Sequence, residues 1–586
     1  MSASSMMFVI ESSHTPIQSR KASSIVTMNS HLRSTLFANR QAARPLHVIV
    51  VGAGMAGLTA GLGLQLTGHR VTILEQAPTF QQDGAGIQIA PNAARVLDRF
   101  GVLADVLKDA DLLERISQRR YADDRELGSA PLMPGAGRRY GAPVLVIHRG
   151  DLQRILVLAA RQAGCQIKTG QKVVRVDGTG APRVLTADDA WHQGDVVVGA
   201  DGIRSAVRGH VAAAQGHSER LTPTGDAAYR MLIPREKLAS HDKLLRLIDQ
   251  NVAVRWIGPG GHVIGYPIRH HSAYNLVILH PANDGRQGVW TVKRDKAHVV
   301  DFCRGWSPSV QELLSCVPDG EVTEWMLYSH PPLRHWARDR VVLIGDACHP
   351  MLPYTAQGAA NAIEDAGALV TALTCTASIH LALAVYQEAR QARCDKMQAG
   401  TAAVATTLHL PDGGRQRRRD DDIRRATAGF EQGLERNPDL WADRPWQDFM
   451  WGVDVMTDMT DGWEDLVASV RARHLCCCCS APPSASSLQT SPPSASSLQT
   501  SPPSASSVQT SQPSASSLQT SPPSASSVQT SQPSASSVQT SRPSASAVTL
   551  VGQRRDESAC QPCGSLCSQT RWTSKAMPPK RALSSL

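Results

Sequence analysis

The sequence of 586 residues lacks any uninterrupted apolar stretch long enough to cross a bilayer, which takes about 20 residues. Glycines interrupt its longest apolar segment, 48–66. The sequence therefore predicts no membrane span. It also lacks a clean signal peptide, which favours a cytoplasmic location. Residues 1–44 are Ser-rich and nearly free of acidic residues, which predicts a disordered leader, with a mitochondrial presequence as the alternative.

The central part of the chain has no net charge. The formal charge of the whole chain is +9, but residues 1–44 carry +4 and residues 480–586 carry +5. Residues 45–479 are therefore neutral in total. A folded face that binds nucleic acid needs a clustered excess of Lys and Arg. We therefore expect no nucleic-acid partner.

The cysteines form neither a disulfide framework nor a zinc motif. Six of the thirteen are scattered through residues 45–475, a pattern typical of reduced thiols in an intracellular protein. The segment CQPCGSLC at 560–567 has one metal-like spacing but no matching second pair. The sequence therefore predicts no metal site.

The C-terminal part is poor in apolar residues. From Pro482 the decapeptide PPSASSLQTS recurs seven times with small changes, and nearly every copy contains a single Leu or Val. Such a segment lacks the apolar area that would offset chain entropy. We predict a disordered repeat tail over residues 476–586, which is either a flexible stalk or an expanded repeat at a faulty gene-model end.

A nucleotide-binding pattern occupies residues 46–76, LHVIVVGAGMAGLTAGLGLQLTGHRVTILEQ. It predicts a strand, a glycine turn, a helix and a second strand. Gly52, Gly54 and Gly57 form G-x-G-x-x-G, which allows a tight turn, close approach of a pyrophosphate and helix–strand packing. Glu75 follows Gly52 by 23 residues, where an acid that binds an adenosine ribose is expected. This unit alone does not distinguish NAD from FAD.

Two further predicted strands end in an aspartate. The segment DVVVGADGIRSAVR contains Asp201, and VVLIGDACHP contains Asp346. A buried carboxylate without partners is costly, so each is expected to have polar partners. For Asp201, two roles are open: binding a ligand, or holding its own loop through backbone N–H groups. A third segment, HRGDLQRIL, places Arg149 just before an amphipathic helix.

Together, in this order and spacing, these motifs resemble the group A FAD-dependent monooxygenases, the flavoprotein aromatic hydroxylases. The likeness is greatest to the salicylate hydroxylase-like branch and to fungal biosynthetic relatives, and it covers about residues 45–460. It implies an α/β fold with a Rossmann-type FAD-binding domain, an interleaved antiparallel β-sheet substrate domain and a helical C-terminal part. The expected boundaries are 45–215 and 325–475 for the FAD-binding domain and 216–324 for the substrate-binding sheet.

The resemblance implies FAD as cofactor and NADH or NADPH as co-substrate. In such enzymes the equivalent of Asp346 accepts a hydrogen bond from a ribityl hydroxyl, and a helix that begins near Ala359 directs its positive end at the flavin. The residues that the resemblance assigns to FAD are Gly52, Gly54, Gly57, Glu75, Gly84, Ala85, Gly86, Arg149, Asp201, Asp346, Pro353, Gly358 and Ala359.

Alternating strands and turns between about 216 and 325 predict an antiparallel sheet, which in this family covers the substrate pocket. Arg230 and Tyr266 are the candidate catalytic residues. The guanidinium of Arg230 could hold a phenolate or carboxylate, and Tyr266 could bind the ring hydroxyl or pass its proton. The alternative is a surface arginine and a tyrosine that packs within the sheet.

The expected function is hydroxylation of a small aromatic substrate, phenolic or hydroxybenzoate- or polyketide-like, with O₂ through a C4a-hydroperoxyflavin. An epoxidase or a reductase of the same fold would share every FAD motif. A non-enzymatic repeat or stalk protein would have no use for Glu75, Arg149 and Asp346.

Overall fold

A computed structural model describes residues 40–80, 84–216, 221–282, 289–433 and 435–479. The leader and the repeat tail predicted from the sequence lie outside these ranges, except for residues 40–44 and 476–479. The disorder of the tail and the location suggested by the leader therefore stay predictions.

Twenty strands occur in the described residues. In chain order they are β1 (His47–Val51), β2 (Arg70–Leu74), β3 (Gly86–Ile89), β4 (Asp111–Leu112), β5 (Arg115–Arg120), β6 (Glu126–Pro131), β7 (Leu145–His148), β8 (Gln166–Lys168), β9 (Val173–Asp177), β10 (Arg183–Thr186), β11 (Trp191–Gln193), β12 (Val196–Gly199), β13 (Thr222–Pro234), β14 (Val252–Gly258), β15 (Gly261–Ile268), β16 (Ala273–Pro281), β17 (Thr291–Asp295), β18 (Glu321–Ser329), β19 (Ala337–Arg338) and β20 (Val341–Leu343).

The same ranges contain sixteen α-helices. They are α1 (Met55–Leu66), α2 (Pro91–Arg99), α3 (Leu103–Asp109), α4 (Gly135–Tyr140), α5 (Arg149–Ala163), α6 (Ala206–Ala213), α7 (Arg235–Leu238), α8 (Asp242–Ile248), α9 (Lys296–Phe302), α10 (Pro308–Ser315), α11 (Gly358–Cys375), α12 (Ile379–Leu408), α13 (Gly414–Ala428), α14 (Arg444–Trp451), α15 (Val455–Asp461) and α16 (Trp463–Cys479).

The nucleotide-binding sheet has six strands in the order β19-β20-β12-β1-β2-β8. Its β20, β12, β1, β2 and β8 pair in parallel, and only β19 is antiparallel to its neighbour. The central strands consist largely of buried Val, Ile and Leu, as expected when helices cover both faces of a parallel sheet. The carboxyl ends of β1, β12 and β20 therefore meet at one edge, where ligands of such sheets bind.

The second sheet has eight strands in the order β17-β18-β13-β16-β15-β14-β5-β6. All its pairs are antiparallel except β14 with β5. Helices α7 to α10 pack on one face around a core that includes Trp256, Tyr274 and Leu276. Two of its strands, β5 and β6, lie before residue 216, and β18 ends at residue 329. The sheet therefore includes more of the chain than the expected segment 216–324.

The prediction of an α/β fold with an interleaved sheet and a helical C-terminal part is confirmed. Six helices, α11 to α16, follow β20, and α11 packs against both α1 and α12. Among the described residues, no helix is both long and apolar enough to cross a membrane.

We expect Leu276→Ala to lower the free energy of unfolding by about 2–5 kcal/mol, because Leu276 is fully buried between β16 and the helices below it. The matched control is Leu158→Ala, since the side chain of Leu158 is 47% exposed on α5. Urea denaturation followed by tryptophan fluorescence gives both values. Equal losses in the two variants would contradict the position of this core.

Candidate active site

The glycine turn between β1 and α1 has the geometry that its sequence predicts. Gly52 has a φ of +101°, and a Cβ there would lie 2.5 Å from the carbonyl oxygen of Ala200. A Cβ on Gly57 would overlap the carbonyl oxygen of Gly52. A Cβ on Gly54 would meet no protein atom within 4 Å. The packing of the protein itself requires the first and third glycines, whereas Gly54 borders the open space that a pyrophosphate needs.

Glu75 lies directly after β2 and braces this turn. Its Oε2 accepts the N–H of Ala53 at 2.8 Å, and its Oε1 accepts the N–H of Ala77 at 2.8 Å. Each carboxylate oxygen has a further lone pair. The side chain therefore retains capacity for the predicted ribose contact while it fixes the backbone.

Asp346 follows β20 in a single 3₁₀ turn, Gly345–Ala347. Its side chain is open to the cleft at the sheet edge, and within the described ranges its carboxylate accepts no hydrogen bond. The surrounding protein still raises the pKa of Asp346 by removing water, while the charges of His349, Arg149 and Arg230 oppose that rise. An ionisable acceptor without a protein partner fits the predicted bond from a ribityl hydroxyl of FAD.

A largely buried network of charges lies behind this turn. Asp365 accepts the N–H of Gly345 at 2.9 Å and the Nε–H of Arg390 at 2.8 Å. Glu364 pairs with Arg390 at 2.5 Å and with Arg393 at 2.8 Å. Burial alone would raise the pKa of Glu364, but these arginines lower it to about 2.

The sequence placed Glu364 and Asp365 only in the early turns of a helix and did not identify this network. Asn92 extends it, because its Nδ2 donates to Glu364 at 2.8 Å and to Gln357 at 3.1 Å. Gln357 is the residue that precedes α11. One network therefore holds both the turn before Asp346 and the start of α11.

His349, Asp365 and Cys394 bring three potential metal-binding atoms within 4.8 Å of one another. The chemistry of the group nevertheless favours ion pairing. His349 Nε2 lies 2.6 Å from Asp365 Oδ2, and Arg390 lies 3.4 Å from the sulfur of Cys394. A guanidinium in that position would repel a divalent cation.

Backbone groups of the 84–86 loop form hydrogen bonds to residues on both sides of the cleft. His148 Nε2–H donates to the carbonyl of Gly84 at 3.1 Å, and the N–H of Arg149 donates to the carbonyl of Ala85 at 3.1 Å. The N–H of Gly86 donates to Oδ1 of Asn275 at 2.7 Å. The loop therefore joins the nucleotide-binding part to the second sheet, and the side chain of Arg149 stays exposed beside it.

Tyr266 lies on the open face of the second sheet, against the same loop. A Cβ on Gly86 would lie 2.7 Å from Cε2 of Tyr266 and 3.0 Å from its hydroxyl oxygen. The side chain is 8% exposed, and its hydroxyl has no hydrogen-bond partner in the described part of the chain. Burial raises the pKa of Tyr266, so the phenol is protonated at neutral pH.

Arg230 lies on this face too, in β13. Its neighbour Tyr229 points the other way and stacks on His280 with ring centroids 4.5 Å apart, as strand alternation predicts. The guanidinium of Arg230 lies 5.7 Å from the ring centroid of Trp325 and has no carboxylate partner among the described residues. The strand register places Arg230 and Tyr266 on the same face of the sheet. Removal of water by the surrounding protein lowers the pKa of Arg230, whereas Tyr266 and Asp346 oppose that shift.

Asp201 is occupied by its own loop. It accepts the hydroxyl of Ser205 at 2.5 Å and the N–H groups of Ala206 at 2.8 Å and Val207 at 3.4 Å. These bonds stabilise the start of α6. Burial raises the pKa of Asp201. Its predicted contact with FAD is an additional role that these bonds neither require nor prevent.

The segment that leads into α11 contains the remaining predicted residues. Pro353 begins a 3₁₀ turn, Pro353–Thr355, and a Cβ on Gly358 would meet no protein atom within 4 Å. Gly358 and Ala359 belong to the first turn of the helix, whose N–H groups lack intrahelical partners. Arg255, which the sequence did not single out, is buried and anchors this segment by donating to the carbonyl of Tyr354 at 2.9 Å.

These contacts relate residues from many distant segments to the carboxyl edge of the parallel sheet and to the open face of the second sheet. A parallel sheet with a glycine turn after its first strand and an acid after its second is the architecture of a dinucleotide-binding protein. Comparison with known proteins specifies the class further. Residues 45–401 match the model of the family described as FAD binding domain, and the chain belongs to this family of FAD-dependent monooxygenases. The expectation of an FAD-dependent enzyme is confirmed.

Relatives with similar sequences are also named FAD-dependent monooxygenases. The FAD-dependent monooxygenase atnJ of Arthrinium sp is 37% identical over 395 residues, which are 67% of this chain and 91% of the relative. The FAD-dependent monooxygenase OpS4 of Beauveria bassiana is 35% identical over 421 residues, covering 70% of this chain and 96% of the relative. A solved salicylate hydroxylase substrate complex, 24% identical, has a TM-score of 0.57 over 72% of this chain and 98% of that one, which shows the shared fold.

We expect Gly57→Ala to lose stability and Gly54→Ala to lose affinity for FAD. A methyl group on Gly57 strikes the Gly52 carbonyl, so this variant should lose thermal stability even without FAD. A methyl group on Gly54 meets only open space, so the apoprotein should keep its stability while FAD binding weakens at least tenfold, or about 1.4 kcal/mol. Calorimetry and flavin fluorescence titration measure the two effects. Unchanged FAD affinity in Gly54→Ala would contradict a pyrophosphate at this position.

We expect Arg390→Met to lower the free energy of unfolding by about 3–5 kcal/mol, because Glu364 and Asp365 would lose a buried partner. Arg154→Met is the control, since Arg154 forms an exposed pair with Asp109 and should cost less than about 1 kcal/mol. Chemical denaturation measures both. A loss in Arg390→Met as small as in the control would show that the network contributes little.

Proposed function

We propose that this FAD-dependent monooxygenase hydroxylates a phenolic aromatic substrate with O₂ and uses NADH or NADPH as the reductant. Two named relatives support the substrate class. A 3-amino-4-hydroxybenzoate 2-monooxygenase of Streptomyces platensis is 34% identical, and a 3-hydroxybenzoate 6-hydroxylase of Aquipseudomonas alcaligenes is 31% identical. The observation that carries the proposal is Arg230, a cation without a carboxylate partner among the described residues, on the same face of the second sheet as the hydroxyl of Tyr266, which has no hydrogen-bond partner there.

In this proposal the FAD-binding domain consists of residues 45–215 and 325–475, and β5 and β6 leave it to join the substrate-binding sheet. The glycine turn and Glu75 would hold the adenosine diphosphate part of FAD, and Asp346 would hold the ribityl chain. The start of α11 and the 84–86 loop would border the flavin ring. When bound, FAD supplies the redox chemistry that activates O₂ for transfer of one oxygen atom.

Arg230 would bind the oxygen of the phenol and increase the fraction of phenolate. A positive charge near an acidic group lowers the pKa of that group, typically by 1–3 pH units at about 4–6 Å. A phenolate ring is richer in electrons than a phenol ring and reacts more readily with an electrophilic oxygen. The position of the guanidinium beside Trp325 would orient its fork toward the ligand.

Tyr266 would donate a hydrogen bond from its hydroxyl to the same substrate oxygen. Because its pKa is raised, the tyrosine holds its proton at neutral pH, which favours a donor over a general base. Ile264 and Val277 pair with each other across the strands, and Val277 also pairs with Arg230. These apolar neighbours would exclude water from the ring.

We expect Arg230→Gln to lower kcat/KM for hydroxylation about 100-fold, as is typical when a stabilising donor is removed. Tyr266→Phe should lower product yield per NAD(P)H oxidised and raise hydrogen peroxide release. NADH and NADPH oxidation with a panel of hydroxybenzoates and polyketide phenols, with product quantified by mass spectrometry, measures these effects.

The matched control for Arg230→Gln is Arg235→Gln, because Arg235 follows the same strand and pairs with Asp249 at the surface. This control should retain activity. Bound flavin without phenol-stimulated oxidation in the unmodified protein would overturn the hydroxylase and favour a reductase or an epoxidase. Full activity of Arg230→Gln would overturn the role of Arg230 alone.

A further inference from the structure

The turn between β15 and β16 contains three successive residues in the left-handed conformation, none of them glycine. Arg269, His270 and His271 have φ angles of +54°, +55° and +64°. This conformation is unfavourable for residues that carry a Cβ, so other contacts must hold it. The N–H of His270 donates to the buried carboxylate of Asp111 at 3.0 Å, and the hydroxyl of Ser272 donates to the carbonyl of Arg269 at 2.7 Å. The turn therefore fixes the direction in which the side chain of Arg269 leaves the second sheet.

The guanidinium of Arg269 reaches two residues of the nucleotide-binding part. Its Nε–H donates to Oδ2 of Asp151 at 2.9 Å, and its Nη2 donates to Oδ1 of the same carboxylate at 3.2 Å. The same Nη2 lies 3.1 Å from Nδ1 of His148. Asp151 belongs to the first turn of α5, and the buried His148 ends β7. One arginine of the second sheet thus contacts both elements that flank the 84–86 loop.

These contacts determine the tautomer of His148. A guanidinium can only donate, so Nδ1 of His148 must be the acceptor. The carbonyl of Gly84 can only accept, so Nε2, which lies 3.1 Å from it, must carry the hydrogen. Of the two neutral tautomers, only the one with hydrogen on Nε2 forms both bonds. Burial and the charge of Arg269 lower the pKa of His148, which agrees with a neutral imidazole.

Asp151 would favour the opposite tautomer if Arg269 were absent. Its Oδ2 lies 3.8 Å from Nδ1 of His148, and this is the oxygen that accepts the Nε–H of Arg269. A free carboxylate beside Nδ1 would favour a proton on that nitrogen. Nε2 of a neutral imidazole would then present a lone pair to the carbonyl of Gly84. The remaining charged group that faces His148 is Arg149, which also opposes its protonation.

We propose that Arg269 is a positioning residue for the cofactor: it keeps His148 in the tautomer that binds Gly84 and thereby fixes the 84–86 loop. This inference rests on the proposed function, in which that loop borders the flavin ring. Asn275 already connects the second sheet to the other end of the loop, at Gly86. Arg269 gives the same sheet a second connection, through His148, to Gly84.

The experiment is a titration of the deflavinated full chain with FAD, followed by flavin fluorescence across the pH range. We expect Arg269→Met to weaken FAD binding about tenfold at neutral pH, because methionine keeps an apolar stem but cannot donate to His148. This loss should shrink on acidification. A protonated imidazole carries hydrogen on both nitrogens, so it donates to Gly84 whatever lies beside Nδ1. Removal of the Arg269 charge also raises the pKa of His148, which brings this recovery closer to neutral pH.

Two variants of His148 provide the comparison. His148→Leu removes the bond to Gly84 at every pH, so its loss of FAD affinity should not depend on pH. His148→Gln keeps one donor and one acceptor and should retain most of the affinity. If Arg269 acts through His148, Arg269→Met should cause little further loss in the His148→Leu background.

The matched control is Arg235→Met, since the side chain of Arg235 is 41% exposed, against 38% for Arg269, and pairs with Asp249. This control should bind FAD like the unmodified protein. Unchanged affinity in Arg269→Met, or a loss that is the same at every pH, would overturn the role of Arg269. A full further loss in the His148→Leu background would overturn it too. Unchanged affinity in His148→Leu alone would instead overturn the proposed border between the loop and the flavin.

Discussion

The hydrogen bond from the Gly345 amide to the Asp365 carboxylate is the contact on which the cleft depends. It connects the end of β20, a strand of the parallel sheet, to the interior of α11. Asp365 can serve this purpose only because Arg390 neutralises it, since an unpaired buried carboxylate costs several kcal/mol. The network thus fixes the direction in which the chain leaves the sheet, and with it the place of Asp346. A buried ion pair adds little net stability, so its value here lies in defining one geometry.

The charged residues fall into two groups: those behind the cleft are paired, and those within the cleft are exposed. Behind the cleft, every carboxylate of the network has at least two donors, and Glu364, Asp365 and Arg390 are fully buried. Within the cleft, Asp346, Arg149 and Arg230 are open and have no ion-pair partner in the described part of the chain. Water stabilises these exposed charges by hydration until a bound ligand replaces the water. This contrast supports the proposed binding roles of these three side chains, because no ion pair within the described residues uses them.

Much of this site could be predicted from the sequence, because its signals are local. The glycine turn, Glu75 and Asp346 each lie at the end of a recognisable apolar strand, and strand alternation correctly separates Tyr229 from Arg230. The buried network could not be predicted in this way. Asp365 and Arg390 lie 25 residues apart on different helices, so no periodicity relates them. The participation of β5 and β6 in the second sheet was missed for the same reason, since a parallel pair between β5 and β14 joins segments far apart in the chain.

Gly86 connects the nucleotide-binding part of the chain to the second sheet through direct contacts with two residues of that sheet. Its lack of a side chain lets Tyr266 and Asn275 approach the loop, and Asn275 binds the Gly86 amide. Any residue larger than glycine would displace Tyr266, because its Cβ would lie 2.7 Å from the ring. In the proposed site this loop would border the flavin on one side and Tyr266 on the other, so a substitution at Gly86 would alter both.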